Sequence, residues 1–83
     1  MGFDKATVLE FLQHNFEIVE KHWGPNSFYT IQARKYMEKL IEQYDAGEVI
    51  PVHSCRYIED GIEFEDVLMS DETTQTWNYG YID

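Results

Sequence analysis

Apolar positions in the first half of the chain recur at helical spacing, and in the second half they alternate. Val8, Leu9, Phe11, Leu12, Phe16, Ile18, Val19 and Trp23 fall on one broad side of a helical projection. Glu10, Gln13, His14, Glu17, Glu20 and Lys21 fall opposite. That amphipathic spacing predicts a helix over about 4–23, starting at Asp4 or Thr7. Thr7 followed three residues later by Glu10 fits a capping box, in which each side chain satisfies a free backbone N–H of the other residue. Gly24-Pro25 stops the helix, because Gly tolerates a left-handed conformation and Pro cannot continue the turn. A second helix, capped by Asn26 or Ser27, is expected over about 27–45, with Gly47 beyond its end. Its predicted buried stripe is Tyr29, Ala33, Tyr36, Met37, Leu40, Ile41 and Tyr44. The short connection makes the pair an antiparallel hairpin.

After Pro51 the period becomes two. Residues 51–59 and 62–69 read as strands around Asp60-Gly61, a strong hairpin signal because both central residues must accept φ > 0. A two-residue loop sets Tyr57 opposite Phe64, Arg56 opposite Glu65, Cys55 opposite Asp66 and His53 opposite Leu68. One face then carries Cys55, Tyr57, Ile62, Phe64 and Leu68 and suits a core. Asp66 lands on that apolar face, so a bulge near 65–66 is expected. A third strand over about 75–82 alternates Trp77, Tyr79 and Tyr81 with Thr76, Asn78 and Gly80. The predicted class is α+β: a helical hairpin packed on one face of a three-stranded antiparallel β-meander, in a single domain spanning 1–83. Leu12, Phe16, Val19, Ala33, Met37, Leu40, Phe64 and Leu68 are its expected core.

Composition supports folding despite the charge. The chain has 83 residues, is 43% hydrophobic and 16% aromatic, and carries a formal charge of −10. A disordered chain would be poorer in aromatics. Cys55 is the only cysteine, which excludes an internal disulfide and suits a reducing, cytoplasmic setting. No apolar run is long enough to span a membrane, and no signal segment or lipid anchor is visible.

Candidate chemistry is sparse. His53 and Cys55 share a strand face two residues apart, but catalytic partners usually come from different elements, so Cys55 reads as a small buried hydrophobe. His14, His22 and His53 show no metal-ligand spacing, and no phosphate-binding glycine loop is present. Glu63 and Glu65 lie on one strand face, without the cleft that acid–base catalysis needs. The expectation is a protein with no catalytic residues, metal or cofactor.

The distribution of charge changes the picture. Eight of the 16 acids lie in residues 57–83 (Glu59, Asp60, Glu63, Glu65, Asp66, Asp71, Glu72 and Asp83), with no Lys or Arg. Such a surface repels nucleic acid and anionic membranes and attracts a basic partner. Aromatic residues are the usual anchors of protein interfaces. Glu59, Asp60, Glu63, Glu65, Asp66, Asp71, Glu72, Trp77, Tyr79 and Tyr81 are therefore the expected partner-binding residues. The expected function is non-enzymatic inhibition: an acidic nucleic-acid mimic that blocks the basic cleft of a nuclease or other nucleic-acid-binding protein. In size, acidity and lack of chemistry the chain resembles phage-encoded DNA mimics such as uracil-DNA glycosylase inhibitors and anti-CRISPR proteins, a likeness of kind that no motif carries and that would place it in a host cytoplasm. Two alternatives are an immunity protein against a basic nuclease toxin and an adaptor subunit that adds its last strand to a partner sheet.

Overall fold

A computed structural model describes residues 2–81. Two helices, α1 (Lys5–Trp23) and α2 (Phe28–Asp45), precede three strands, β1 (Pro51–Glu59), β2 (Ile62–Met69) and β3 (Thr74–Tyr81). The strands form one antiparallel sheet in the order β1-β2-β3. The α+β arrangement of a helical hairpin and a meander is thus as the pattern predicts.

The cap of α1 is Asp4, whose carboxylate accepts the Thr7 N–H at 2.8 Å. That bond holds the Asp4 pKa below its ordinary value. Thr7 is consequently inside the first turn, and the expected Thr7–Glu10 capping box does not form. Asp4 wins because its carboxylate reaches the same free amide from one turn earlier. Ser27 caps α2 by accepting from the Tyr29 N–H at 3.2 Å.

The core lies where the two layers meet, at the base of the sheet. Val8, Leu12 and Phe16 form a buried stripe at four-residue spacing on α1, and Leu40 from α2 joins Val8 and Leu12 in one cluster. Ile50 and Val52 complete the cluster from the start of the sheet. Both can turn inward because the β1–β2 register shifts between Pro51 and His53, which makes Val52 the extra residue of a bulge. Two buried polar side chains are satisfied locally. Thr30 Oγ1 donates to the Gly24 carbonyl at 2.6 Å, tying α2 to the end of α1, and Ser70 Oγ accepts the Ile50 N–H at 3.0 Å. The N-terminal segment is sewn to the same base, with Phe3 N–H donating to Ser70 O at 2.9 Å.

This placement corrects several expectations. Of the predicted core, Leu12, Phe16 and Leu40 are buried, while Val19, Ala33, Met37, Phe64 and Leu68 are only half-buried. Tyr29 and Tyr36 lie on the exposed side of α2, whose inward stripe includes Thr30 instead. The register runs unbroken through residues 65–66, so no bulge forms there. The reason is that helical cover stops early: α1 approaches the sheet only at β1, and α2 approaches no strand closely. Asn15 Nδ2 donates to the Val52 carbonyl at 2.7 Å across that single junction.

The remainder of the meander projects away from the helices. The Cα extents are 38 × 37 × 16 Å, a plate rather than a ball. The radius of gyration is 14.4 Å, against about 12 Å for a compact chain of this length.

Asp60 (φ 54°) and Gly61 (φ 77°) form the hairpin turn, both left-handed as a type I′ turn requires. Gly61→Val should cost about 1–2 kcal/mol, since a β-branched residue resists this conformation. Urea titration measures it, and an unchanged midpoint would mean the turn has another geometry.

Candidate interaction surface on the sheet

Register assigns every sheet residue to a face. The face turned toward α1 carries His53, Cys55, Tyr57 and Glu59 on β1. Opposite them stand Leu68, Asp66, Phe64 and Ile62 on β2, with Thr74, Thr76, Asn78 and Tyr81 on β3. Only its base is covered, where the Phe11 ring lies 6.3 Å from His53. Farther out, Tyr57 stacks on Phe64 with centroids 5.5 Å apart.

Asp66 is no anomaly on this face, because two hydroxyls serve it. Thr76 Oγ1 donates at 2.8 Å and the Tyr57 hydroxyl at 3.4 Å. Burial, then the Asp66 charge, pushes the Tyr57 pKa up.

The far face carries Ser54, Arg56 and Ile58, then Val67, Glu65 and Glu63, then Gln75, Trp77 and Tyr79. Arg56 is its hub. Its guanidinium lies 3.8 Å from Glu63, 3.7 Å from Glu65 and 4.7 Å from the Tyr79 ring centroid. The Tyr79 hydroxyl donates to Glu65 at 2.6 Å, a bond that raises the Tyr79 pKa. Glu63 and Glu65 are therefore held by a cation rather than left to repel each other, and both are partly buried.

The expected aromatic row on β3 is divided. The β2–β3 register shifts between Glu63 and Phe64, so Tyr79 is an extra residue before Gly80 (φ 87°). Trp77 and Tyr79 share the far face, while Tyr81 pairs with Ile62 and belongs to the face toward α1. All three are exposed, at 55%, 50% and 77%. Ile58, which sequence reasoning left unassigned, is 64% exposed beside Arg56. Its position on the Arg56 face, out of phase with the apolar row of β1, was the available signal.

The remaining expected acids sit at the ends of the sheet. Glu59 and Asp60 flank the outer turn, and Asp71 and Glu72 occupy the turn at the base. Asp71 accepts from the Thr73 hydroxyl and N–H, and these bonds lower its pKa. Glu72 is left-handed at φ 70°. Among the described residues, Glu59, Asp60 and Glu72 make no ion pair. The acids thus form no single patch; they border both faces and both ends. Asp83 lies outside the described residues.

Protein-family models, curated proteins and solved structures offer no match to this chain. Among the described residues no helix is long and apolar enough to cross a membrane, and no group of three metal-ligating side chains occurs.

Cys55 is exposed, which corrects its reading as a buried hydrophobe. The helix that would have covered it reaches only the His53 level of β1. Its sulfur lies 4.0 Å from the Arg56 carbonyl, and the described hydrogen bonds include none to His53. Cys55→Ser and His53→Ala should therefore leave partner binding within a few fold in folded protein. A complete loss would reopen a role for the thiol or imidazole.

Proposed function

We propose that this chain is a non-enzymatic acidic inhibitor, a nucleic-acid mimic of phage or mobile-element type that occupies the basic nucleic-acid-binding cleft of a target protein. The observation that carries this reading is the outer sheet itself. It holds Ile58, Trp77 and Tyr79 in the open on the far face and Tyr57 and Tyr81 on the face toward α1, with carboxylates on both faces and at both turns. Contiguous exposed apolar surface rimmed by polar groups is characteristic of an interaction site. The carboxylates stand in for phosphates toward Lys and Arg of the target, and the aromatics supply contacts that lose water on binding. A sheet holds these groups more rigidly than a loop would. The target is a basic protein such as a nuclease, and the cytoplasm is where inhibitor and target would meet.

Competition tests the reading. A basic nuclease recovered from the native host with this protein should lose bound duplex DNA as the protein is added, at near-stoichiometric ratio. Binding that leaves the DNA in place, or that ignores salt, would point to strand addition at residues 75–82 in place of mimicry.

A further inference from the structure

We infer that the outer edge of β3 pairs with β3 of a second copy of this chain, joining the two meanders into one six-stranded antiparallel sheet. Three observations converge on this edge.

The first is its lack of charge. In a chain of formal charge −10, residues 74–81 (Thr-Gln-Thr-Trp-Asn-Tyr-Gly-Tyr) contain no ionisable acid or base other than tyrosine. Edge strands are normally kept apart by charged side chains, proline or a covering element. The opposite edge has such devices. β1 begins at Pro51, bulges at Val52, gives the Val52 carbonyl to Asn15 and carries Arg56. β3 pairs with β2 alone, and its one irregularity is the bulge at Tyr79.

The second is area. The chain exposes 6113 Å², against roughly 5,200 Å² for a compact monomer of its mass. The surplus is that of a plate whose outer edge, β3, no other element covers.

The third is electrostatic. Face-to-face stacking of two far faces, whose backbones would lie about 10 Å apart with side chains filling the gap, would bring the Glu63 and Glu65 carboxylates of the two copies together. Edge pairing instead separates the two β2 strands by three strand spacings, roughly 14 Å. That exceeds the Debye length of about 8 Å at physiological salt. Of these two arrangements, edge pairing is the one that keeps the acids apart.

A two-fold axis perpendicular to the sheet continues each face into the same face of its partner. Centred on Asn78, it sets Trp77 opposite Tyr79 of the second copy, both on the far face. Such cross-strand aromatic positions favour pairing. Because the copies carry like charge, the association should tighten as salt is added. Binding to a basic target should weaken under the same change, so the two readings fail separately.

The experiment uses the full chain. Sedimentation at about 100 μM should give twice the chain mass, with the dimer fraction rising between roughly 50 and 500 mM salt. In a Cys55→Ser background, Asn78→Cys should form a disulfide-linked dimer under mild oxidation, because opposed antiparallel Cα atoms lie about 4.5–5.5 Å apart. Ile31→Cys, exposed on α2, should not. Asn78→Asp keeps an acceptor for the Gly80 N–H, which Asn78 Oδ1 now binds at 2.8 Å, yet sets like charges across the axis. It should weaken the dimer at least tenfold at low salt and leave binding to a basic target intact. A monomer at every salt concentration overturns the inference. So does a dimer that is indifferent to Asn78→Asp and does not cross-link at position 78, and so does β3 cross-linking only to a foreign protein.

Discussion

Leu40→Ala is expected to cost about 2–5 kcal/mol of folding stability. Leu40 belongs to a buried cluster of five side chains that joins helices to sheet. Truncation removes methylene contacts and leaves a hole that its neighbours fill only in part. A domain of this size holds about 4–12 kcal/mol in total. The variant should therefore lose at least 10 °C of melting temperature, and at the upper end it would be substantially unfolded at 37 °C. Tyr81→Ala provides the contrast, since its side chain is largely in solvent, and should change stability by less than about 0.5 kcal/mol. Thermal melts of both proteins decide the matter. Equal effects would mean that the sheet, and not its junction with the helices, holds the core.

The second large effect should be kinetic. If the outer sheet is the interface, charge should govern how fast a basic partner arrives, and aromatic rings should govern how long it stays. Glu63 and Glu65 are poor choices for the charge test, because both hold Arg56 and Glu65 also accepts from Tyr79. Glu59→Gln, Asp60→Asn and Glu72→Asn form the cleaner set. None of the three makes an ion pair among the described residues, and Asn tolerates the left-handed backbone at 60 and 72. Together they should slow association by about tenfold and flatten its salt dependence, through loss of long-range steering. Trp77→Ala should instead speed dissociation by about tenfold or more. Surface-plasmon kinetics across a salt series separates the two rates. An affinity unmoved by salt and by the triple variant would end the nucleic-acid-mimic reading.

Much of the fold was legible because its signals are local. Asp60-Gly61 allows few turns, and a two-residue loop leaves one register, so Tyr57–Phe64 and Arg56–Glu65 pair as the pattern requires. Helix ends follow from Ser27 and from Gly24-Pro25. Burial was less legible, since alternation divides a strand into faces without saying whether a layer covers either one. Phe64 and Cys55 share the apolar face, yet α1 ends its contact with the sheet below them. Ile50 and Val52 are buried through a bulge that carries no residue signature. The same limit applies to the candidate site. The bulge at Tyr79 sends Tyr81 to the other face, and Asp66 gains two hydroxyl donors from neighbouring strands that no spacing along one strand reveals.

The single junction between helices and sheet has a kinetic consequence for folding. Apart from α1 with β1, every pair of elements in contact is adjacent along the chain. Such topologies have low contact order and fold quickly, because little loop entropy is lost before contacts form. The helical hairpin and the meander can each take shape before they meet. The remaining search is one closure, across α2, that brings Asn15 to the Val52 carbonyl and Phe3 to Ser70. Substitutions at that seam should therefore slow folding, and so should substitutions at Tyr57 or Phe64, whose pairing within the meander precedes the closure.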